Sequence, residues 1–276
     1  MTRIRTPHGV NDFLPGDAKR HQALLQKVRS VFEKRGYKKI KTPTIEYLET
    51  LSVGMGDTLQ NSAIKFFDAA GHVLVLRPDH TTPIARMVAT RLQSEKKPLR
   101  LYYLDPVFRQ GEEIEIFQAG VELIGEDSAR ANAEVVMTAI ESLLKLGYRE
   151  FKIDIGHTDF VKGLSEKKKQ ALLSGNYLEF GKIPERGSVH LVKDHSDLVE
   201  LFDSLKKNKL ESYVDFNKGL VKDLDYYTGM IMECFVCGVR QPVGSGGQYN
   251  QLLKKFGFDC PAVGFALNLN VLLGSR

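Results

Sequence analysis

The chain has only three cysteines, Cys234, Cys237 and Cys260, an odd number too small for a disulfide framework, which fits a reducing cytoplasm. It has no long apolar run. Its longest near-apolar stretch, Pro261–Leu273, is broken by two Asn and falls short of the ~18 residues a membrane span requires. The opening MTRIRTPHGVNDF has no hydrophobic segment of the secretory type. Repeats of solenoid length and low-complexity tracts are missing as well. So are the motifs of several large enzyme classes. There is no GxxxxGK(S/T) phosphate loop, no GxGxxG opening a helix, no HExxH, no Cys/His cluster at zinc spacing and no GxSxG elbow. Cys234 and Cys237 have CxxC spacing but lie in a β-rich run, where residues three apart face opposite ways; they are expected to pack, not to share an ion. None of the 7 histidines is spaced to ligate a metal on one helix, so neither a metal nor a cofactor is expected.

What is present is ordinary globular material. The 276 residues are 42% apolar and 26% charged, enough for one or two domains with a real core. The net charge of +5 is spread out, and the short runs Lys167–Lys169 and Lys206–Lys209 read as solvated helix faces. Asp17 is placed to cap a helix carrying Leu24, Val28, Val31 and Phe32 and stopped by Gly36. A strand from Tyr37 to Pro43 and a hairpin of residues 64–68 and 73–77 follow. Thr82 is expected as the N-cap of the next helix, with Pro83 in its first position.

Two β-rich runs, 101–109 and 114–124, are joined by the turn Gln110–Glu113. In the second, Gln118, Gly120 and Glu122 alternate with Ala119, Val121 and Leu123, so one face carries a polar strip that is either solvent-facing or the floor of a cleft. Ser128 opens a long amphipathic helix ending at Gly147, and a strand at Glu150–Ile155 follows. Residues 158–210 read as a small helical insertion. Strands then return at 212–216, 230–237 and 262–269, with Gly244–Gly247 read as a glycine-rich turn and a short helix near Tyr249–Phe256. Hairpins outnumber crossovers, which argues for a mostly antiparallel sheet with packed helices, an α+β fold.

The polar groups left at strand ends are Arg77, Asp79 and Thr81, then Arg109, Gln118 with Glu122, and Asp225, Tyr226 and Tyr227. Such a set suits a ligand with an ammonium group and an NH-bearing ring. Equally, it could be a row of strand termini satisfied by water and backbone.

These segments resemble the class II aminoacyl-tRNA synthetase core, and specifically histidyl-tRNA synthetase. GVNDFLP is similar to that family's opening segment, and GYKKIKTPTIE to its motif 1, the dimer-forming helix and strand. LRPDHTTPIAR resembles its LRPE-G-T segment; YYLDPVFR with FQAGVELIG resembles motif 2. DLDYYTGMIMECF is similar to its RGLDYY segment, and GSGGQYNQLLKKFG with AVGFAL to its glycine-rich stretch and motif 3. The likeness runs from about residue 7 to residue 273 and implies a single class II synthetase-like core over residues 1–276, without an anticodon-binding domain.

By this resemblance a histidine pocket would be formed by Asp79, Thr81, Arg109, Gln118, Glu122, Tyr226 and Tyr227. Asp79 stands where the family has Glu, and His80 where it has a glycine. The ATP machinery departs from the pattern. The arginine that ends motif 3 aligns with Val271, and the arginine of RGLDYY aligns with Lys222, which lacks the bidentate planar fork. The loop after Arg109 is shorter and reads Gln-Gly-Glu-Glu.

A kept amino-acid pocket beside a lost triphosphate clamp resembles a paralogous family, the regulatory subunits of ATP phosphoribosyltransferase. That likeness implies a non-catalytic, cytoplasmic protein that activates the short-form catalytic subunit in the first step of histidine biosynthesis. It also implies a hetero-octamer built on homodimers through motif 1, with histidine as feedback effector. No membrane association is implied, and tRNA binding is not expected. A divergent histidine-activating ligase and a tRNA-binding module are the alternative readings.

Overall fold

A computed structural model describes residues 4–222 and 226–274. Asp225, one of the polar strand-end groups, lies outside the described residues. In chain order the first half contains α1 (Pro15–Lys34), β1 (Lys38–Lys39), β2 (Ile45–Tyr47), α2 (Leu48–Ser52), α3 (Asp57–Ser62), β3 (Lys65–Phe67), β4 (Val73–Leu76), α4 (Thr81–Arg91), β5 (Leu99–Phe108), β6 (Glu115–Ile124) and α5 (Ala129–Leu146). The second half contains β7 (Phe151–His157), α6 (Glu166–Leu173), α7 (Tyr177–Phe180), β8 (Arg186–Gly187), α8 (Ser196–Lys207), β9 (Val214–Asn217), β10 (Met230–Val236), β11 (Gly244–Gln248), α9 (Leu252–Lys255), β12 (Ala262–Asn268) and α10 (Leu269–Gly274).

Nine strands form the main sheet in the order β1-β5-β6-β12-β11-β10-β7-β9-β8. Only β1 with β5 and β7 with β9 run parallel; the other neighbours are antiparallel, as the hairpin-rich pattern implies. The small sheet β2-β4-β3 contains the hairpin expected around Gly71.

Each face of the main sheet has its own core. On one face Leu24, Val28 and Phe32 of α1, Val135, Ile140 and Leu143 of α5, and Leu198, Leu201 and Leu205 of α8 pack on the sheet. The sheet answers with Ala119, Val121 and Leu123 of β6 and their neighbours on β7, β10 and β12. The opposite face is covered by Leu51, Leu59, Ile84, Val88 and Leu252, against Leu101 and Tyr103 of β5. With alternate residues of β6 committed to the first core, Gln118, Gly120 and Glu122 must face the other side. The polar strip is therefore a cleft floor, because helices cover that side too.

Several helix ends match their sequence signals. Ser128 caps α5 by accepting from the Ala131 N–H at 3.1 Å, and Gly147 ends it at φ 105°. Gly36 closes α1 at φ 82°. Two caps differ. Leu14 precedes α1 and Pro15 fills its first turn, so Asp17 is not the cap but an acid in the first turn, facing the positive end of the helix dipole and paired with Arg20. Thr82 does not cap α4 either. The N-cap position is His80, and the capping hydrogen bonds come from the residue before it, Asp79, whose Oδ2 accepts from the Thr82 N–H at 3.1 Å and from Thr82 Oγ1 at 2.9 Å.

Two strand expectations are also corrected. The stretch after Tyr37 pairs only through Lys38 and Lys39, because the chain leaves the sheet edge for Thr42 and Pro43, whose carbonyls hold the buried Arg77. Gly244–Gly247 is not a turn but most of β11. A Cβ on Gly246 would lie 2.2 Å from the Gly264 carbonyl oxygen, so glycine serves close strand approach here rather than chain reversal.

Within 158–210, β8 extends the main sheet through β9, and α8 lays its apolar side into the helix-covered core. Cys234 is buried in β10 while Cys237 lies beyond it and is exposed, so the two thiols occupy separate environments. No helix among the described residues is long and apolar enough to cross a membrane.

Candidate functional site

The cleft floor on β6 is roofed by the start of α4 and walled by β5, β11, β12 and the segment before β10. Together they enclose a cavity of about 60 Å³ lined by Asp79, Thr81, Arg109, Gln118, Glu122, Tyr226 and Tyr227, all of them residues singled out from the sequence. His80, Tyr103, Tyr249, Ser245 and Phe265 join them, with Gly246, Gly247, Gly264 and Ala266 as small wall residues. In so narrow a space every polar wall group lies within reach of one small ligand.

Glu122 is the centre of the site. It is 1% exposed, and its two oxygens accept from Tyr249 Oη at 2.5 Å and Thr81 Oγ1 at 3.1 Å. Burial pushes its carboxyl up to about 8, against the opposing pull of those two hydroxyls, and the nearby Asp79 charge adds to the rise. It sits opposite Gly264, where a Cβ would fall 1.8 Å from its Oε2.

Asp79 is buried, and burial raises its carboxyl above the ordinary range. Its Oδ2 is spent on the α4 cap, but among the described residues Oδ1 has no hydrogen-bond partner. An acceptor left unpaired in so dry a place is costly unless a donor arrives with a ligand. Arg109 donates from Nε to the Pro78 carbonyl at 2.6 Å, which holds the guanidinium at the cavity wall. Among the described residues no carboxylate lies within ion-pair distance of it, leaving its forked end for an anionic group.

The aromatic wall is Tyr103, Tyr226, Tyr227 and Tyr249. Tyr226 meets Tyr227 at 5.0 Å between ring centres and Tyr249 at 6.1 Å, both edge to face. Burial raises all four hydroxyls, so they remain protonated donors. Gly120 makes room for Tyr103, whose hydroxyl would be 2.4 Å from a Cβ there. His80 stacks on Tyr103 at 4.0 Å, and its Nε2 is 2.9 Å from the Asp105 carbonyl oxygen. Burial, helped by the Arg77 charge, lowers His80 to about 3, so it is a neutral imidazole whose Nε2–H donates to that carbonyl.

Sequence reasoning did not assign Tyr103, His80 or Tyr249 to the site. Tyr103 sits in the apolar run of β5, and its direction follows only from its register opposite Gly120. Tyr249 follows the glycine strand that was read as a turn. Arg77 is not a site residue: it is 1% exposed and donates to the carbonyls of Pro106, Thr42 and Pro43 at 2.9, 2.8 and 3.3 Å, tying the small sheet to the main one.

Lys222 and Val271, the two positions expected by resemblance to have been arginine, face elsewhere. Lys222 forms an ion pair with Glu233 of β10 and lines a neighbouring cavity of about 550 Å³. Val271 is packed in the helix-side core. Beside it, Asn268 Oδ1 accepts from the N–H groups of Asn270 and Val271 at 3.0 and 3.3 Å, and Asn270 bridges to the backbone of Glu115 and Phe117 at 2.8 and 3.0 Å. Both asparagines thus serve the start of α10.

Comparison with known proteins agrees with this architecture. A family model described as histidyl-tRNA synthetase matches residues 9–178 and 182–272. An ATP phosphoribosyltransferase regulatory subunit of Desulforamulus reducens is 36% identical, the match covering 98% of this chain and 78% of that protein. One from Ruminiclostridium cellulolyticum is 33% identical over 98% of this chain and 76% of that protein. The crystal structure of an ATP phosphoribosyltransferase regulatory subunit/histidyl-tRNA synthetase from Bacillus halodurans superposes with a TM-score of 0.91 at 32% identity, covering 99% of this chain and 83% of that one.

Proposed function

Since the chain belongs to the histidyl-tRNA synthetase family, and within it to the regulatory subunits of ATP phosphoribosyltransferase, we propose that it activates a short-form catalytic subunit and carries histidine feedback to it. The observation that carries this reading is a division within the site. An amino-acid-sized set of polar groups converges on one cavity, while Lys222 and Val271 are turned to an ion pair and to the core.

The recognition chemistry follows from the charges. Arg109 takes the carboxylate of a bound amino acid through its free fork. Asp79 Oδ1 takes the ammonium, which supplies the donor that oxygen lacks. Glu122 accepts from a ring N–H, with Gln118, Thr81, Tyr226 and Tyr227 completing the walls. Histidine presents all three groups. In this reading the chain catalyses no aminoacylation, because neither replaced position offers a guanidinium to a triphosphate.

The same proposal has the chain work in the cytoplasm as a homodimer inside a hetero-octamer. Motif 1 leads into the small sheet, whose Ile45 and Tyr47 share one face and are 48% and 44% exposed, an apolar surface suited to a second copy. Coupling between histidine and the catalytic subunit's substrates is reciprocal if both act on one equilibrium.

The test is to mix the protein with a short-form catalytic subunit and follow product formation with and without histidine. Activation that histidine reverses supports the proposal, and an unactivated partner ends it. Histidine-dependent pyrophosphate exchange by the isolated chain would favour the ligase alternative, to which the retained Arg109 is the one structural concession.

A further inference from the structure

Away from the cleft, the fold gathers side chains that the sequence scatters. His157 ends β7, Asp159 lies in the single helical turn that follows, and His195 is the N-cap of α8, more than thirty residues further on within the insertion. One potential ligand atom from each lies within 4.8 Å of the other two. From these positions we infer that the three side chains form a binding site for a zinc-class divalent cation, which clips the end of β7 to the start of α8.

One of the three spacings already matches that of two ligands on a single ion. Two ligands each about 2.1 Å from a tetrahedral ion lie about 3.4 Å apart. His157 Nδ1 and Asp159 Oδ2 are 3.5 Å apart. The Asp159 N–H donates to the same Nδ1 at 3.2 Å, so that nitrogen carries no proton, and an ion bound there would take over the lone pair that this long hydrogen bond now occupies. An unprotonated ring nitrogen and a carboxylate oxygen therefore lie at the spacing a cation would bridge once it replaces that hydrogen bond. The His195 ring is 5.3 Å from the His157 ring between centres.

The surroundings hold this arrangement in place. Phe160 packs edge to face on His195 at 4.8 Å and lies 6.1 Å from His157, which restricts both rings. The His157 side chain is 15% exposed and that of Asp159 50%, so the site is rooted in the protein yet open to an ion. The nearest competing cation is Lys162, 3.9 Å from Asp159 Oδ1, and its side chain is 82% exposed and able to swing away. Two imidazoles and one carboxylate form a donor set of intermediate softness, which suits Zn²⁺ and leaves a position for water. Because the ligands come from the start of the insertion and from the head of α8, the ion would close residues 160–194 into a loop.

The experiment is calorimetric titration of the chelator-treated full chain with Zn²⁺, alongside Co²⁺ titration followed by visible ligand-field absorption. The expected result is saturable binding of one ion per chain, a raised Tm, and a tetrahedral-type Co²⁺ spectrum. Asp159→Asn and His195→Gln should each lose the spectrum and the stoichiometric binding. His190→Gln, at an exposed histidine outside the cluster, should bind like the wild type. Circular dichroism of each variant separates lost ligation from lost folding. Wild-type protein that takes up no Zn²⁺, or folded Asp159→Asn and His195→Gln variants that bind it unchanged, would overturn the inference.

Discussion

Tyr249 donates its hydroxyl to Glu122 at 2.5 Å, joining the residue after β11 to the C-terminal part of β6 across the floor of the cavity. That contact is made to a carboxyl which burial holds up near 8, so close to neutral pH the group is mostly protonated in the empty site. Its ionisation is therefore linked both to folding and to ligand binding.

The folding consequence has a definite sign. Glu122 has an ordinary value of 4.5 and rises to about 8 when folded, so between these limits the folded chain holds a proton that the unfolded chain has released. Stability is then greatest below 4.5 and is lost as pH rises through about 8, by roughly 4–5 kcal/mol at full ionisation. Glu122→Gln should flatten this decline and be the more stable protein at pH 9. Denaturant titrations from pH 5 to 9 check it; parallel wild-type and variant curves would count against a buried, proton-holding carboxyl.

His80 works in the other direction. Its value falls from 6.5 to about 3 on folding, so below 6.5 the unfolded chain takes up a proton that the folded chain refuses. Its contribution is intact above 6.5 and drains away as pH falls towards 3. His80→Phe keeps a ring against Tyr103 and should remove that acid-side slope. Urea midpoints between pH 4 and 7 provide the measurement, with an unchanged slope as the contrary result.

Asp79 joins a structural duty to the proposed recognition of an ammonium group. Asp79→Ala should cost about 0.5–2 kcal/mol through the lost α4 cap, and should also weaken histidine binding by about 10- to 100-fold. Thr82→Val removes one of the two cap hydrogen bonds but leaves the carboxylate in place, so it should lose stability and keep affinity. Calorimetric titration with thermal melts separates the two duties. If both variants lose affinity equally, Asp79 acts through α4 alone.

Gly264→Ala would place a Cβ 1.8 Å from Glu122 Oε2 and 2.5 Å from the Val121 carbonyl oxygen. We expect a loss of about 1–3 kcal/mol and no measurable histidine binding. Gly16→Ala, where a Cβ meets nothing within 4 Å, is the control and should leave both properties unchanged. Retained affinity in Gly264→Ala would mean that the ligand enters elsewhere.

Much of this site could be read before any coordinates because its signals are local. The alternation of Gln118, Gly120 and Glu122 with Ala119, Val121 and Leu123 fixes which side of β6 is polar, and Ser128 with Gly147 brackets α5 by side-chain capping and a left-handed φ. The α4 cap was displaced because a carboxylate three residues ahead reaches the Thr82 N–H better than the hydroxyl on the helix itself. Glycine misled for a related reason: turn freedom and close packing favour the same residue, and only the facing strand tells them apart. The grouping of Asp79, Arg109, Glu122 and Tyr227 came from family resemblance, since strand order decides it and no spacing encodes that order. His157, Asp159 and His195 had no signal of either kind, because the ring of contacts closes only when α8 docks on the sheet.

The glycines of β11 and β12 leave much of one wall of the cavity made of main chain, with Ser245 and Ala266 adding only small side chains to it. Main chain cannot be recharged or lengthened by substitution, and even one added methyl there strikes Glu122 or a facing carbonyl. Any retuning of what the cavity admits must therefore be done from the opposite bank, through Gln118, Glu122 and the residues at the head of α4. Changes at Glu122, the proposed partner of the ring N–H, would reselect the ligand's distal group while Asp79 and Arg109 kept their hold on its backbone-side atoms.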